Sequence, residues 1–458
     1  MSLTAVLAQI DKNLPAATER LLELLRIPSV STDPAYAEHC QSAADWLVAD
    51  LERLGATVSK RETPGHPMVL GHLAGEGPHL LFYGHYDVQP VDPIDLWDTD
   101  PFDPALQDSP EGKVIRGRGA SDDKGQLMTF VEACRAWKEV HGTLPCRITF
   151  FFEGEEESGS PSLIPFMQQN AAELSADIAL ICDTGLFESR VPAIITMLRG
   201  LAGLEVEITG PQRDLHSGMY GGLVRNPLHV MAGIIAGLHD ENGRVTLEGF
   251  YDDVPELPDE IRAQWQALSF DHAKFLADIG LTEQGGEVER TPLEKLWSRP
   301  TCEVNGLWGG YTGDGSKTVL PSKAHAKFTF RLVGQQDPDK IIAALKSYVH
   351  SAVPSDYTVS FKGEKGAPAA QMSIAHPAFE KARKALSDEW PDAAAYVGCG
   401  GSIPIAGFFK DILNMDAMLI GFGKDDDQIH SPNEKYDLES FHKGTRSWAR
   451  VLAELSKP

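Results

Sequence analysis

Apolar and polar positions follow two rhythms along this chain. In residues 36–54 (YAEHCQSAADWLVADLERL) apolar side chains recur every three to four positions and stop at Gly55, the pattern of an amphipathic helix. The short runs "ATVSKRE", "PMVLGHLA" and "HLLFYGHYDV" then read as strands. Residues 123–140 predict a helix ending near Gly142, "CRITFFFEG" a buried strand, 163–173 a helix, and "DIALICD" another strand. Apolar strands alternating with amphipathic helices predict an α/β fold, with a mostly parallel sheet flanked by helices.

The rhythm changes near residue 200. "LEVEITG" and "AHAKFTFRLV" alternate with period two, as half-exposed strands do. With helices at 226–238 and 338–352 and a strand at 357–362, they make a β-α-β-β-α-β-like set, interrupted by an acidic stretch with helical pieces at 251–298. That set predicts a small antiparallel sheet with helices on one face. From His376 the α/β character returns and closes with a helix at 436–456. The chain therefore reads as a catalytic domain, 1–199 and 369–458, interrupted by a smaller α+β inserted domain, 200–368.

Composition narrows the function. The net charge of −25, from 66 acidic against 41 basic residues, argues against nucleic acid as a partner, because phosphate binding needs a basic face. The six cysteines are scattered and form no C-x-x-C pair, so neither a disulfide framework nor a cysteine zinc site is indicated. The first twenty residues turn polar too early for a signal peptide, and no apolar run is long enough to span a bilayer. These features predict a cytoplasmic protein with no membrane association.

The chemistry gathers at predicted strand ends, where α/β folds place their ligands. "ITFFFEGEEESGSPS" drives an apolar strand into Glu153, Glu155, Glu156 and Glu157. Carboxylates at that density repel one another unless they are solvated or a cation sits among them. Other strand ends carry His85 and Asp87 in "LFYGHYDVQP", Asp122 and Asp123 in "GRGASDDKGQ", and Asp183 in "ALICDTG"; His430 follows in "DDDQIHSPNE". Each alone is more often a cap or a hydrogen-bonded group. Together they are the imidazole and carboxylate ligands of zinc, manganese and related ions. Two decoys fall away. "GGYTGDGSKT" misses a phosphate-binding loop by one residue, with Ser316 where Lys should follow Gly315. Neither "RDLHSG" nor "GGSIP" forms a serine-nucleophile elbow.

The motifs "GHYDVQP", "GRGASDDKG", "EEESGS", "RDLHSG", "GGSIP" and "HSPNEK", in this order and spacing, resemble those of the di-metal metallopeptidases. That family includes carnosinases, cytosolic non-specific dipeptidases, aminoacylases and carboxypeptidase G, and the dipeptidase branch is the most similar. The resemblance implies two divalent ions, zinc or manganese, and hydrolysis of a dipeptide by a water bridging them. Asp122 would bridge both ions, with His85 and Asp183 on one and Glu157 and His430 on the other. Glu156 would be the general base, and Asp87 would orient His85. Glu153 and Glu155 would be solvated or structural carboxylates, and Asp123 would cap or shape the following helix. His216 would reach the partner's active site in a homodimer and stabilise the oxyanion, the inserted domain serving as lid and dimerisation domain. Thr318, Arg331 and Ser402 would contact substrate, Arg331 taking its carboxylate. Glu364 stands where carnosinase-like members often carry a histidine. Asp183 fits dipeptidases, since carboxypeptidase-like members tend to have Glu there. An N-acyl-amino-acid deacylase and an inactive metal-binding scaffold are the alternatives.

Overall fold

The computed structural model describes residues 1–401 and 404–458, with only the helical placement of Pro404. The described residues divide into two compact units. The first comprises Met1–Thr196, Met372–Val397 and Phe408–Pro458; the second comprises Met197–Gln371 and Gly398–Gly407.

The first unit is built on a mixed sheet. Its parallel centre runs in the order Arg147–Glu153, His79–His85, Ile178–Ile181, Ala417–Gly421. The flanking pairs are antiparallel: Met68–Leu73 joins Arg147–Glu153 on one side and Ala193–Leu198 joins Ala417–Gly421 on the other. The central strands are apolar on both faces because both are covered. Phe82 stacks on Phe130 of the helix Lys124–His141 with ring centroids 3.9 Å apart, and both rings meet Trp448 of the helix Leu438–Leu455 edge-on. The next residue, Tyr83, points the other way and meets Phe151 and Phe409. This packing holds the carboxyl ends of His79–His85 and Arg147–Glu153, and hence His85 and the glutamate turn, at one edge of a rigid layer.

The helices start and stop where the sequence predicts. Ala37–Leu54 ends on Gly55 and Lys124–His141 on Gly142, both glycines in the left-handed region that a β-carbon disfavours. The 163–173 segment forms two short helices, Leu163–Gln169 and Ala171–Leu174. The helix Leu3–Leu25 was not among the elements expected, and it carries Pro15 in its interior. Its buried stripe of Val6, Ile10, Leu21, Leu22, Leu24 and Leu25, and the paired bonds from Arg20 to Glu132, outweigh the bond that Pro15 cannot donate.

The second unit is a four-stranded antiparallel sheet in the order Thr301–Gly309, Lys323–Leu332, Gly200–Thr209, Thr358–Ala367. The helices Pro227–Ala236 and Pro338–Ala352 contribute Met231, Ile234, Ile341, Leu345 and Val349 to a core shared with Leu204, Val206, Ile208 and Phe328. The element order is the β-α-β-β-α-β set expected. Three short helices, Asp259–Ala267, His272–Asp278 and Pro292–Trp297, fill the acidic stretch. The glycine-rich "GGYTGDGSKT" leads into the strand Val319–Leu320, not a helix.

Candidate metal centre

Seven of the predicted site residues lie in the first unit, and it draws them together. His85 ends a strand, Asp183 follows one, and Asp122 closes the loop before the helix Lys124–His141. Gly125 lets that loop fold tightly, since a β-carbon there would lie 1.9 Å from the Ala120 carbonyl. Two triads result, His85–Asp122–Asp183 and Asp122–Glu157–His430, the candidate ligand atoms of each lying within 4.8 Å of one another. Asp122 belongs to both. Its Oδ1 is 3.1 Å from His85 Nε2 and its Oδ2 is 2.8 Å from His430 Nε2. His85 Nε2 is 3.8 Å from Asp183 Oδ2, and His430 Nε2 is 3.3 Å from Glu157 Oε2.

Asp87 does more than face His85. The imidazole Nδ1 hydrogen-bonds the Asp87 backbone carbonyl at 3.1 Å and lies 3.4 Å from its carboxylate. The same carboxylate accepts the backbone N–H groups of Glu156 at 3.2 Å and Glu157 at 3.0 Å. Asp87 thus ties the histidine strand to the glutamate turn. Glu156 belongs to neither triad, so its carboxylate stays available beside them.

The four glutamates divide by environment. Glu153 and Glu155 are buried, not solvated. Glu153 accepts from the Tyr83 hydroxyl and from Ser160 Oγ, and Glu155 from the backbone N–H groups of His66 and Ser162. They shape the turn that presents the other two. Of the two roles expected of Asp123, capping or shaping the helix, side-chain capping is not seen. Its carboxylate accepts the His85 backbone N–H at 3.1 Å.

The electrostatics show what the cluster lacks. Among the described residues no Lys or Arg ion-pairs with Asp122, Asp183, Glu156 or Glu157. Burial, with the neighbouring Asp122 charge, pushes Asp183 well above the carboxylate range. Burial also pushes Glu156 up to about 6. Hydrogen bonds to Asp122 and Glu157 push His430 up to about 10. Protons therefore gather where positive charge is missing. Two imidazoles and three carboxylates, one of them shared, form a donor set that fits divalent ions of the zinc or manganese type.

Two functional residues lie in motifs already singled out, but the sequence did not distinguish their roles. Gln89, in "GHYDVQP", donates from Nε2 to Glu157 Oε2 at 2.7 Å. Glu434, in "HSPNEK", is buried and accepts four hydrogen bonds from the Asp122 loop: Arg118 Nη1 at 2.8 Å, and the N–H groups of Gly119 at 3.0 Å, Ser121 at 2.9 Å and Asp122 at 3.1 Å. It fastens the segment carrying His430 to the loop carrying Asp122.

The sequence profile of Peptidase family M20/M25/M40 matches residues 81–454. The chain belongs to that family. Membership makes it a hydrolytic enzyme and implies divalent metal binding, in accord with the ligand clusters. The Cys-Gly metallodipeptidase dug1 of Schizosaccharomyces pombe is 30% identical, with 100% of this chain and 99% of that protein covered. The crystal structure of human carnosine dipeptidase 1 aligns with a TM-score of 0.78 at 27% identity, over 100% of this chain and 99% of that one. The M20 family metallo-carboxypeptidase Sso-CP2 from Sulfolobus solfataricus aligns with a TM-score of 0.79 at 31% identity, over 96% of this chain and 99% of that one.

The second unit holds the remaining candidates. His216 and Thr318 are neighbours there. His216 pairs with Val319 across a two-residue ladder, and the Thr318 carbonyl accepts the Ser217 N–H. His216 is exposed, and its Nδ1 accepts the Gly218 N–H. Arg331 lies in the strand Lys323–Leu332, opposite Leu201. Ser402 lies outside the described residues. Glu364 turns aside to pair with Lys346 at 2.7 Å.

Proposed function

We propose that this protein is a metal-dependent dipeptidase. The observation that carries the reading is Asp122, whose two oxygens face one histidine each in two triads that share it. His85 and Asp183 would hold one divalent ion, Glu157 and His430 the other, and Asp122 both. Two such ions, zinc or manganese, would supply Lewis acidity to the scissile carbonyl and acidify water at the site. Glu156, outside both triads, takes a proton from the attacking water and delivers it to the leaving amine nitrogen. Asp87 fixes the turn that aims it. The similarity to a Cys-Gly metallodipeptidase and to human carnosine dipeptidase 1, over nearly the whole chain, supports a dipeptide substrate.

Residues 200–368 would act as the lid and dimerisation domain on a catalytic body of 1–199 and 369–458. Thr318, Arg331 and Ser402 would contact the substrate, Arg331 taking its carboxylate. His216 would act in trans on the partner's substrate oxyanion. Its loop supports a homodimer by exposing Met219 (76%) and Leu223 (87%), apolar side chains that association would cover. Buried free cysteines support a reducing, cytoplasmic setting, and no helix among the described residues is long and apolar enough to cross a membrane.

Chelator-stripped protein, with zinc or manganese restored, tests the reading on free dipeptides, N-acetylated amino acids and longer peptides. Metal-restored cleavage confined to free dipeptides is expected. Cleavage of the acylated amino acids alone would make the protein a deacylase, and C-terminal trimming of longer peptides would make it a carboxypeptidase, as the likeness to Sso-CP2 allows. Glu156→Ala should abolish turnover with metal content unchanged; a wild-type rate would remove Glu156 as the base.

A further inference from the structure

The two proposed ion positions share Asp122, and each adds one histidine and one carboxylate, His85 with Asp183 and His430 with Glu157. Equal donor sets give an ion no chemical reason to prefer either position. The positions differ in how firmly their donors are held, and donors fixed before binding make a tighter site than donors that must be ordered by it. His85 is fully buried and closes the strand His79–His85, which is paired on both sides. Its imidazole is fixed by the Asp87 carbonyl and its backbone N–H by Asp123. Asp183 follows the strand Ile178–Ile181, and the bridge between Gly185 and Gly423 holds the chain just beyond it. In the other position Glu157 is also held, by Gln89 on its carboxylate and by Asp87 on its N–H. His430 is the loose donor. Its side chain is 52% exposed, and its neighbours Gln428, Ile429 and Ser431 are exposed as well. Among the described residues, its contacts with Asp122 and Glu157 are the only side-chain hydrogen bonds or ion pairs made by residues 428–432.

That span is pinned at its two ends. Asp427, fully buried, accepts Ser121 Oγ at 2.8 Å, the Lys424 N–H at 2.8 Å and Lys435 Nζ at 3.0 Å. At the other end Asn433 Oδ1 accepts the Asp98 N–H at 2.8 Å, and its Nδ2 donates to the Leu96 carbonyl at 3.0 Å. Arg116 Nη1 donates to the Asn433 carbonyl at 2.6 Å. Three non-glycine residues here have left-handed backbones: Gln428 (φ 55°), His430 (φ 60°) and Asn433 (φ 66°). Such conformations cost free energy and persist only where the surroundings impose them. Asn adopts this conformation more readily than most residues, and the Asn433 side chain ties it to the 96–98 segment. Asn433 therefore fixes the path on which His430 is carried to Asp122.

We propose that the Glu157–His430 position is the weaker of the two and exchanges its ion with solution, so that free divalent ion governs activity, and that Asn433 is the positioning residue that sets its affinity. The proposal rests on the two-ion dipeptidase reading. Titration of chelator-stripped protein with Mn2+, followed by the electron paramagnetic resonance signal of the free ion, counts bound ions without turnover. Two binding classes are expected, differing at least about ten-fold, the lower end of what a group that orients a ligand contributes. Dipeptide hydrolysis should follow filling of the weaker class. His430→Ala should lose the weaker class and keep the tighter one. Asn433→Ala should weaken the weaker class about 10–100-fold and leave the tighter one unchanged, which a general loss of fold would not do. Asn433→Asp keeps the acceptor for the Asp98 N–H and tolerates the left-handed backbone, so it should recover part of the loss. Two ions bound equally, or the tighter class lost in His430→Ala, overturns the proposal and leaves the two-ion reading standing. Both classes unchanged in Asn433→Ala overturns the role of Asn433. A single ion bound at saturating Mn2+ overturns the two-ion reading and the proposal with it.

Discussion

Glu434→Ala is the sharpest perturbation of the metal centre that replaces no candidate ligand. It removes the acceptor of Arg118 Nη1 and of three backbone N–H groups, those of Gly119, Ser121 and Asp122. Arg118 is 1% exposed and would keep only the Pro90 carbonyl, at 3.0 Å, and the Trp97 ring beneath it. Stranding a buried charge costs about 3–5 kcal/mol. The orphaned N–H groups add about 1 kcal/mol each where water does not replace the lost carboxylate. The expected loss is about 3–8 kcal/mol, a large part of the roughly 5–15 kcal/mol that a folded domain has. Urea denaturation at pH 7 reads it directly. Glu434→Gln separates stability from positioning. Its Oε1 can still accept from Ser121 and Asp122, while its amide nitrogen meets Arg118 and Gly119 donor to donor. Its stability should fall, with a smaller loss of metal affinity than in Glu434→Ala, where about 10–100-fold is expected in chelator competition. Arg118→Met combined with Glu434→Gln should be milder than Glu434→Gln alone, because no charge is stranded. A Glu434→Ala protein within 1 kcal/mol of wild type, with unchanged metal affinity, would refute this account of the loop.

Three further expectations follow from other parts of the molecule. If His216 acts in trans, mixing inactive Glu156→Ala with inactive His216→Ala and allowing subunit exchange should restore about a quarter of the activity, because half of the randomised dimers carry one intact site; no recovery despite exchange, verified by light scattering and mass spectrometry, would place His216 in cis or outside catalysis. Phe82→Ala should cost about 3–5 kcal/mol in urea unfolding, since the ring lies fully buried against Phe130 and Trp448; a loss below 1 kcal/mol would mean that the central layer collapses around the gap. The paired hydrogen bonds from Arg290 to Glu256, against a small cost of burial, lower the carboxyl to about 2 from an ordinary 4.5. This depressed carboxyl stabilises the fold above its unfolded pKa and loses the effect as pH falls toward 2. Glu256 is 63% exposed, so Glu256→Gln should cost under about 1 kcal/mol at pH 6, and the difference should close below pH 4.5; a gap that widens on acidification would reverse the sign.

What the sequence disclosed, and what it withheld, divides by the range of the interaction. The helices ending at Gly55 and Gly142 were legible because their apolar period and stop signals are local. The ligands were legible because each sits in a short motif at a strand end, and metal chemistry restricts residue type so strongly that motif order alone narrows the site. The helix Leu3–Leu25 was not assigned, and part of what holds it is non-local: Arg20 makes a bidentate pair with Glu132, more than a hundred residues away. Asp123 shows the same limit at one position. A residue before a helix reads as a cap, yet its carboxylate is spent on the His85 backbone. Glu434 is the extreme case, since its four donors lie more than three hundred residues upstream and nothing in "HSPNEK" names them. The reason is physical. A metal ligand is selected by its own donor atom, whereas a residue that aims a ligand is selected by the backbone groups it must satisfy, and those exist as a set only after the chain has folded. The residues that hold the ligands in place are therefore where a sequence reading of this centre is least complete, and they are where substitution should uncouple metal affinity from the identity of the ligands.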